Sequence, residues 1–139
     1  MIGNFFIEKN INNQVFKKHE EFWLSNLHFD GIDTTFEIFK NEINEPLISS
    51  ILIRLEDRLL DIKSSSILLL QSLSQFFWGH SNNLEFSFSG FVIDNQIDFQ
   101  QCDFRMCFHC FGIENFSDYA NWFVDIKDFK IVGCWRQQL

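Results

Sequence analysis

The sequence predicts an α+β fold, a single domain in which an antiparallel β-sheet packs against two central helices. Three observations carry this expectation. Apolar residues alternate with polar ones through residues 22–39 and again from residue 84 to the end. Between those blocks, residues 44–79 switch to helical spacing. Finally, no repeat and no linker rich in Pro, Gly or Ser divides the 139 residues, a length that suits one domain with a substantial core.

The first block, FWLSNLHFDGIDTTFEIF (22–39), reads as a β-hairpin turning at Asp30-Gly31. A two-residue turn there sets Phe29 opposite Ile32, Leu27 opposite Thr34, Ser25 opposite Phe36 and Trp23 opposite Ile38, a mostly apolar face. The other face pairs His28 with Asp33, Asn26 with Thr35 and Leu24 with Glu37, and is mostly polar. Turn chemistry and alternation agree on this register.

The central block reads as two helices, over roughly 46–63 and 66–78. Ile48, Ile51, Leu52, Leu55, Leu59 and Ile62 form one apolar stripe, and Pro46 suits the first turn. Ser64, Ser65 and Ser66 interrupt the pattern and offer an N-cap for the second helix. There Leu69, Leu70, Leu73, Phe76 and Phe77 continue the stripe until Gly79, placed to end it. Such stripes are core-packing faces.

In the last block, LEFSFSGFVID alternates up to Gly90, where a bulge is expected. QIDFQQCDFRMCFHCF alternates again, as one long strand that bends. YANWFVDIKDFKIVGCWR (119–136) closes as a hairpin around Lys127-Asp128, which pairs Val124 with Ile131, sets Trp122 across from Gly133, and makes Asp125 and Lys130 a cross-strand ion pair.

Three of the four cysteines fall in CDFRMCFHCFG (102–112). On a strand, Cys102, Phe104, Met106, Phe108 and Cys110 share one face, while Asp103, Arg105, Cys107, His109 and Phe111 share the other. Cys107 and Cys110 then point apart and do not share a metal, and no second paired spacing supplies the four ligands of a structural zinc site. The segment reads as a strand of free thiols, with no bound metal or cofactor expected. No βαβ unit follows the Cys-x-x-Cys, so a thioredoxin-like reading fails as well.

His19, His28, His80 and His109 lack paired spacing, and His80 beside Ser81 is a helix exit, not a base beside its nucleophile. No Gly-rich phosphate loop, Gly-x-Ser-x-Gly elbow or His-Glu-x-x-His is present. Catalytic residues are therefore not assigned, and the chain is expected not to be an enzyme.

Charge is the informative feature. Only 11 Lys and Arg face 19 Asp and Glu, for a net charge of −8. The excess concentrates in residues 20–57, where Glu20, Glu21, Asp30, Asp33, Glu37, Glu42, Glu45, Glu56 and Asp57 face only Lys40 and Arg54. Such a chain repels phosphate backbones, which disfavours direct nucleic-acid binding, and suits a cationic partner. The most apolar run, ILLLQSLSQFFW, is too short to cross a bilayer, and MIGNFFIEKN is too polar for a signal peptide. A cytoplasmic location with reduced thiols is expected. The acidic candidates for a partner-binding surface are Asp30, Asp33, Glu37, Glu42, Glu45, Asp57 and Asp61.

In overall character (small, acidic, rich in Phe and Ile, and closing on the strand-rich WFVDIKDFKIVGCWRQ) the chain resembles the immunity proteins of bacterial polymorphic toxin systems of the contact-dependent growth inhibition type. The resemblance implies a protein partner, the cognate toxin C-terminal domain, often a basic nuclease, whose active site or substrate path is blocked. It carries over no individual residues. The alternative is a small-ligand-binding or enzymatic α+β domain, for which the 19 Phe would have to line a concave pocket with a few polar groups.

Overall fold

A computed structural model describes residues 7–29, 31–78, 85–94, 101–111 and 120–138. The elements are β1 (Glu8–Ile11), β2 (Gln14–Lys18), β3 (Trp23–Phe29), β4 (Ile32–Ile38), α1 (Glu45–Trp78), β5 (Glu85–Ile93), β6 (Phe104–Phe111), β7 (Ala120–Lys127) and β8 (Lys130–Gln138). Among the described residues, eight strands join one sheet in sequence order, β1 to β8, with one helix inserted between the fourth and fifth.

The expectation of two helices on an antiparallel sheet is therefore wrong on two counts. First, residues 45–78 form one continuous helix of 34 residues. The serines do not cap a second helix, because the Ser66 hydroxyl donates 2.7 Å back to the Ile62 carbonyl, four residues earlier in the same helix. Ser66 is itself buried on the stripe that runs from Ile48 through Leu55, Leu59 and Ile62 to Leu70 and Ser74. The true cap is Asn44, whose Oδ1 accepts from Leu47 N–H at 3.2 Å. Second, the sheet is mixed, since β4 and β5 run parallel with Thr35 opposite Gly90 and Ile38 opposite Ile93. A parallel neighbour requires a crossover, and α1 supplies it. Gly79, read as the helix stop, lies outside the described residues, as do His80 and Ser81.

At about 1.5 Å per residue the helix is about 50 Å long, far longer than any strand beneath it. It meets β1, β3, β5 and β8, and so reaches both edge strands of the sheet. Its stripe packs on Phe36, Phe91, Phe104, Phe108 and Trp122, all fully or almost fully buried. The rings interlock edge-on or tilted, with centroids 5.5 Å apart for Phe36–Phe91 and 5.6 Å for Phe91–Phe104. Each such side chain contributes about 1.5–3 kcal/mol through burial.

The first hairpin has the register the sequence implies, from Trp23 opposite Ile38 to Phe29 opposite Ile32, with Gly31 at φ 78° in its turn. A hairpin not read from the sequence precedes it. Ile11 faces Gln14 across Asn12 and Asn13, whose φ of 50° and 65° make the mirror-image turn that asparagine tolerates. The bulge expected at Gly90 is present as a register shift between Phe88 and Gly90. The long strand does not extend back through residue 101: Gln101 is in a turn and pairing starts at Phe104, with residues 95–100 outside the described set.

The closing hairpin turns one residue later than expected, at Asp128-Phe129, with φ of 49° and 56°. Lys127 faces Lys130, and a further shift near Asp125 sets Asp125 opposite Gly133, Val124 opposite Cys134 and Trp122 opposite Arg136. The expected pairs of Val124 with Ile131 and Asp125 with Lys130 do not form. A Phe at positive φ is costly, and packing compensates it: Phe129 is buried against Phe104, with the Arg54 guanidinium 4.5 Å from its ring centroid.

Candidate functional site

One face of the sheet takes α1, and no described element covers the other. Strand alternation fixes what that open face carries. Leu24, Asn26 and His28 come from β3, and Asp33, Thr35 and Glu37 from β4. Ser87, Gly90 and Val92 come from β5, Arg105, Cys107 and His109 from β6, and Asn121, Phe123 and Asp125 from β7. The cysteine strand alternates as the sequence implies. Cys102, Phe104, Met106, Phe108 and Cys110 are buried toward the helix, while Arg105, Cys107 and His109 are half-buried on the open side.

Arg105 organises one end of this face. Its Nε donates 2.7 Å to Asp125 Oδ1 and its Nη1 2.5 Å to Asp94 Oδ2, with the Arg105 side chain only 15% exposed. Its guanidinium also lies 5.1 Å from the ring centroid of Trp135, which in turn stacks on Phe123 at 4.1 Å and 15°. Farther along, His109 Nδ1 lies 2.8 Å from Asn121 Oδ1.

Between these groups is an open recess of about 240 Å³, lined by Thr35, Glu37, Gly90, Cys107, Asn121 and Phe123, among others. The bulge creates it. At Gly90 the chain lies so close to β4 that a Cβ would stand 2.8 Å from Thr35 Oγ1 and 2.9 Å from the Thr35 carbonyl oxygen. The Ser89 hydroxyl donates 3.0 Å to the Cys107 carbonyl across the same bulge. Glu37 has no ion-pair partner among the described residues. Burial, then the Glu37 charge, push the Cys107 thiol up to about 12, so it stays protonated at neutral pH.

The acidic residues singled out from the sequence are not gathered together. Asp33 and Glu37 lie on the open face, Asp33 with His28 Nδ1 at 2.5 Å. Glu42 is exposed between β4 and α1, and Glu45, in the helix's first turn, is 3.9 Å from Lys9 of β1. Asp57 and Asp61 are exposed on α1, on the opposite side of the sheet from Asp33 and Glu37. Asp30 lies outside the described residues. The sequence reading missed Asp94, Arg105, Asp125, Phe123 and Trp135 as a unit. Arg105 and Asp125 were legible as polar-face residues of their strands, but the register that joins them was not.

Among the described residues no group of three or more His, Cys, Asp or Glu is placed to hold a metal ion. No described helix is long and apolar enough to cross a membrane. Compared with known proteins, the chain matches no family model, no curated protein and no solved structure.

Proposed function

We propose that this chain is a cytoplasmic immunity protein that binds and neutralises a cognate basic toxin domain, docking it on the open face of the sheet. One observation carries the reading. Across β4 to β7 and the residues flanking β5 and β6, this uncovered face presents Asp33, Glu37, Glu85, Asp94, Asp103 and Asp125 against Arg105 and Lys127, the latter 4.0 Å from Asp103. Arg105 is already held by two of those acids, which leaves net negative charge around stacked aromatic rings. Acidic complementarity of this kind steers a cationic protein and raises its association rate. Aromatic anchors amid polar groups are the usual make-up of the centre of a protein interface.

The small-ligand alternative fits this face less well. Its recess is open and, at about 240 Å³, falls below the roughly 300–1,000 Å³ of pockets that enclose small ligands.

The test is association with the toxin domain encoded beside this chain's gene, together with protection of cells that express it. The wild type should bind and protect. Asp33→Lys with Glu37→Lys should slow association by about tenfold or more at low salt. The deficit should shrink near 1 M salt, where the Debye length is about 3 Å. Asp57→Lys with Asp61→Lys should leave the rate within about threefold. Failure to bind the toxin, or the reverse pattern in which only the helix variant loses binding, overturns the reading.

A further inference from the structure

We infer that the recess beside Glu37 is a guanidinium seat, and that one arginine side chain of the partner fills it. The identity of that occupant rests on the immunity reading above; the chemistry of the seat does not.

Four features point to a guanidinium. Glu37 is a half-buried carboxylate at the recess wall, and no cation among the described residues pairs with it. The face's own guanidinium, Arg105, is committed to Asp94 and Asp125. A partly desolvated carboxylate without a cation is costly to keep, and a partner's cation relieves that cost. The second feature is the aromatic wall. Phe123 lines the recess and is braced from behind by its stack on Trp135, and a planar cation packs favourably on such a ring. Third, the floor is bare backbone, since Gly90 has no side chain and could not carry one so close to Thr35. That leaves depth for a flat head group. Fourth, the other polar groups of the lining are neutral, the Thr35 and Ser89 hydroxyls, the Asn121 amide and the Cys107 thiol, so among the described residues Glu37 supplies the charge of the recess.

Arginine fits better than lysine. A guanidinium is planar, offers two parallel N–H donors to one carboxylate, and is more weakly hydrated than an ammonium, so it loses less on entering a partly dry recess. The recess repeats, for an incoming side chain, the arrangement the protein already builds around Arg105: a carboxylate at the fork and an aromatic ring at the face.

The experiment titrates isotope-labelled protein with N-acetyl-arginine amide, N-acetyl-lysine amide and N-acetyl-citrulline amide, and follows backbone amide shifts. The arginine probe should give saturable millimolar shifts confined to Thr35, Glu37, Val92, Asn121 and Phe123. Lysine should bind several-fold more weakly, and citrulline, which has the same shape without the charge, should not bind. Glu37→Gln should abolish the shifts and Asp33→Asn should not. In the toxin complex, Glu37→Gln should raise Kd by about 30-fold through a faster off-rate, and Asp33→Asn by less than about threefold. Diffuse shifts, equal shifts with citrulline, or shifts that survive Glu37→Gln overturn the seat while leaving the acidic docking face standing. Local arginine binding by a chain that does not bind the toxin upholds the seat and overturns the immunity reading.

Discussion

Arg105 and Asp125 face each other across β6 and β7, and the Arg105 Nε–H reaches Asp125 Oδ1 over 2.7 Å, with Asp94 completing the clamp from the end of β5. Three charges are thereby held on a sheet face with the arginine largely out of water. Removing the cation would take from both carboxylates the guanidinium that they share. Arg105→Met should therefore lower stability by about 2–3 kcal/mol, read as a lower urea midpoint at unchanged slope. Arg105→Lys should recover only part of it, because an ammonium lacks the fixed fork that serves two acids at once. A loss below about 0.5 kcal/mol for the Met variant would show that the clamp is energetically idle.

Two glycines of the sheet give opposite expectations. A Cβ at Gly90 would stand 2.8 Å from Thr35 Oγ1 and 2.9 Å from the Thr35 carbonyl oxygen, and the backbone atom cannot swing away. Gly90→Ala should cost about 1–3 kcal/mol by prying β4 from β5. At Gly133 the nearest group is Asp125 Oδ2 at 3.6 Å, an ordinary contact. Gly133→Ala should be neutral or stabilise slightly, since glycine is a poor strand residue. Equal thermal shifts for the two variants would contradict the close β4–β5 approach.

How much of this was legible depends on whether the information is local. The Asp30-Gly31 hairpin was readable because turn and alternation agree over the same residues, and its whole register follows. The faces of the cysteine strand were readable for the same reason. The single helix was not. A serine triplet looks like a cap, and only the burial of Ser66 against Met106 and its bond to Ile62 show that the Ser66 hydroxyl serves the helix interior. The last hairpin was misread because its turn uses Asp128 and Phe129 at positive φ, which local propensity disfavours for phenylalanine. Tertiary packing on Arg54 and Phe104 decides that turn, and the turn decides which residue faces Asp125. The candidate site inherits the same limit. Its members lie on separate strands, and Glu37, chosen for its charge alone, belongs to a recess that exists only because β5 bulges next to β4.

The Asp128 carboxylate offers a pH handle on the same turn. It accepts 2.6 Å from Arg54 Nη1, and that hydrogen bond, with the guanidinium charge, holds the carboxyl below its ordinary 3.8. Because the folded value is the depressed one, its contribution is present above about pH 4 and is lost as pH falls through the folded value. Asp128→Asn keeps a side chain that tolerates positive φ and removes only the charge. The stability gap between wild type and variant should thus be constant near neutral pH and close as the pH drops below 3.8. A gap that persists undiminished at pH 2 would assign the effect to the turn's backbone and not to the Arg54 pair.

The thiols separate a binding face from a covalent active site. Cys107 and His109 share the open face two residues apart, the arrangement a cysteine nucleophile and its base would need to approach. Yet His109 Nδ1 is engaged with Asn121, and burial together with the Glu37 charge pushes the Cys107 thiol up to about 12. Burial, then the Asp125 charge, raises Cys102 to about 11 and lifts Cys134 as well. At pH 8 the thiolate fraction of Cys107 is roughly a thousandfold below that of a thiol at the ordinary 9.0. In the folded protein a disulfide-exchange reagent should therefore find no fast-reacting cysteine at pH 8, and the rate should still be climbing at pH 10. All four cysteines are free and should react at once in concentrated guanidinium chloride. One equivalent of rapid reaction at Cys107 in the native state would mean that His109 or a neighbour activates it, and the recess would then have to be read as the seat of a nucleophile.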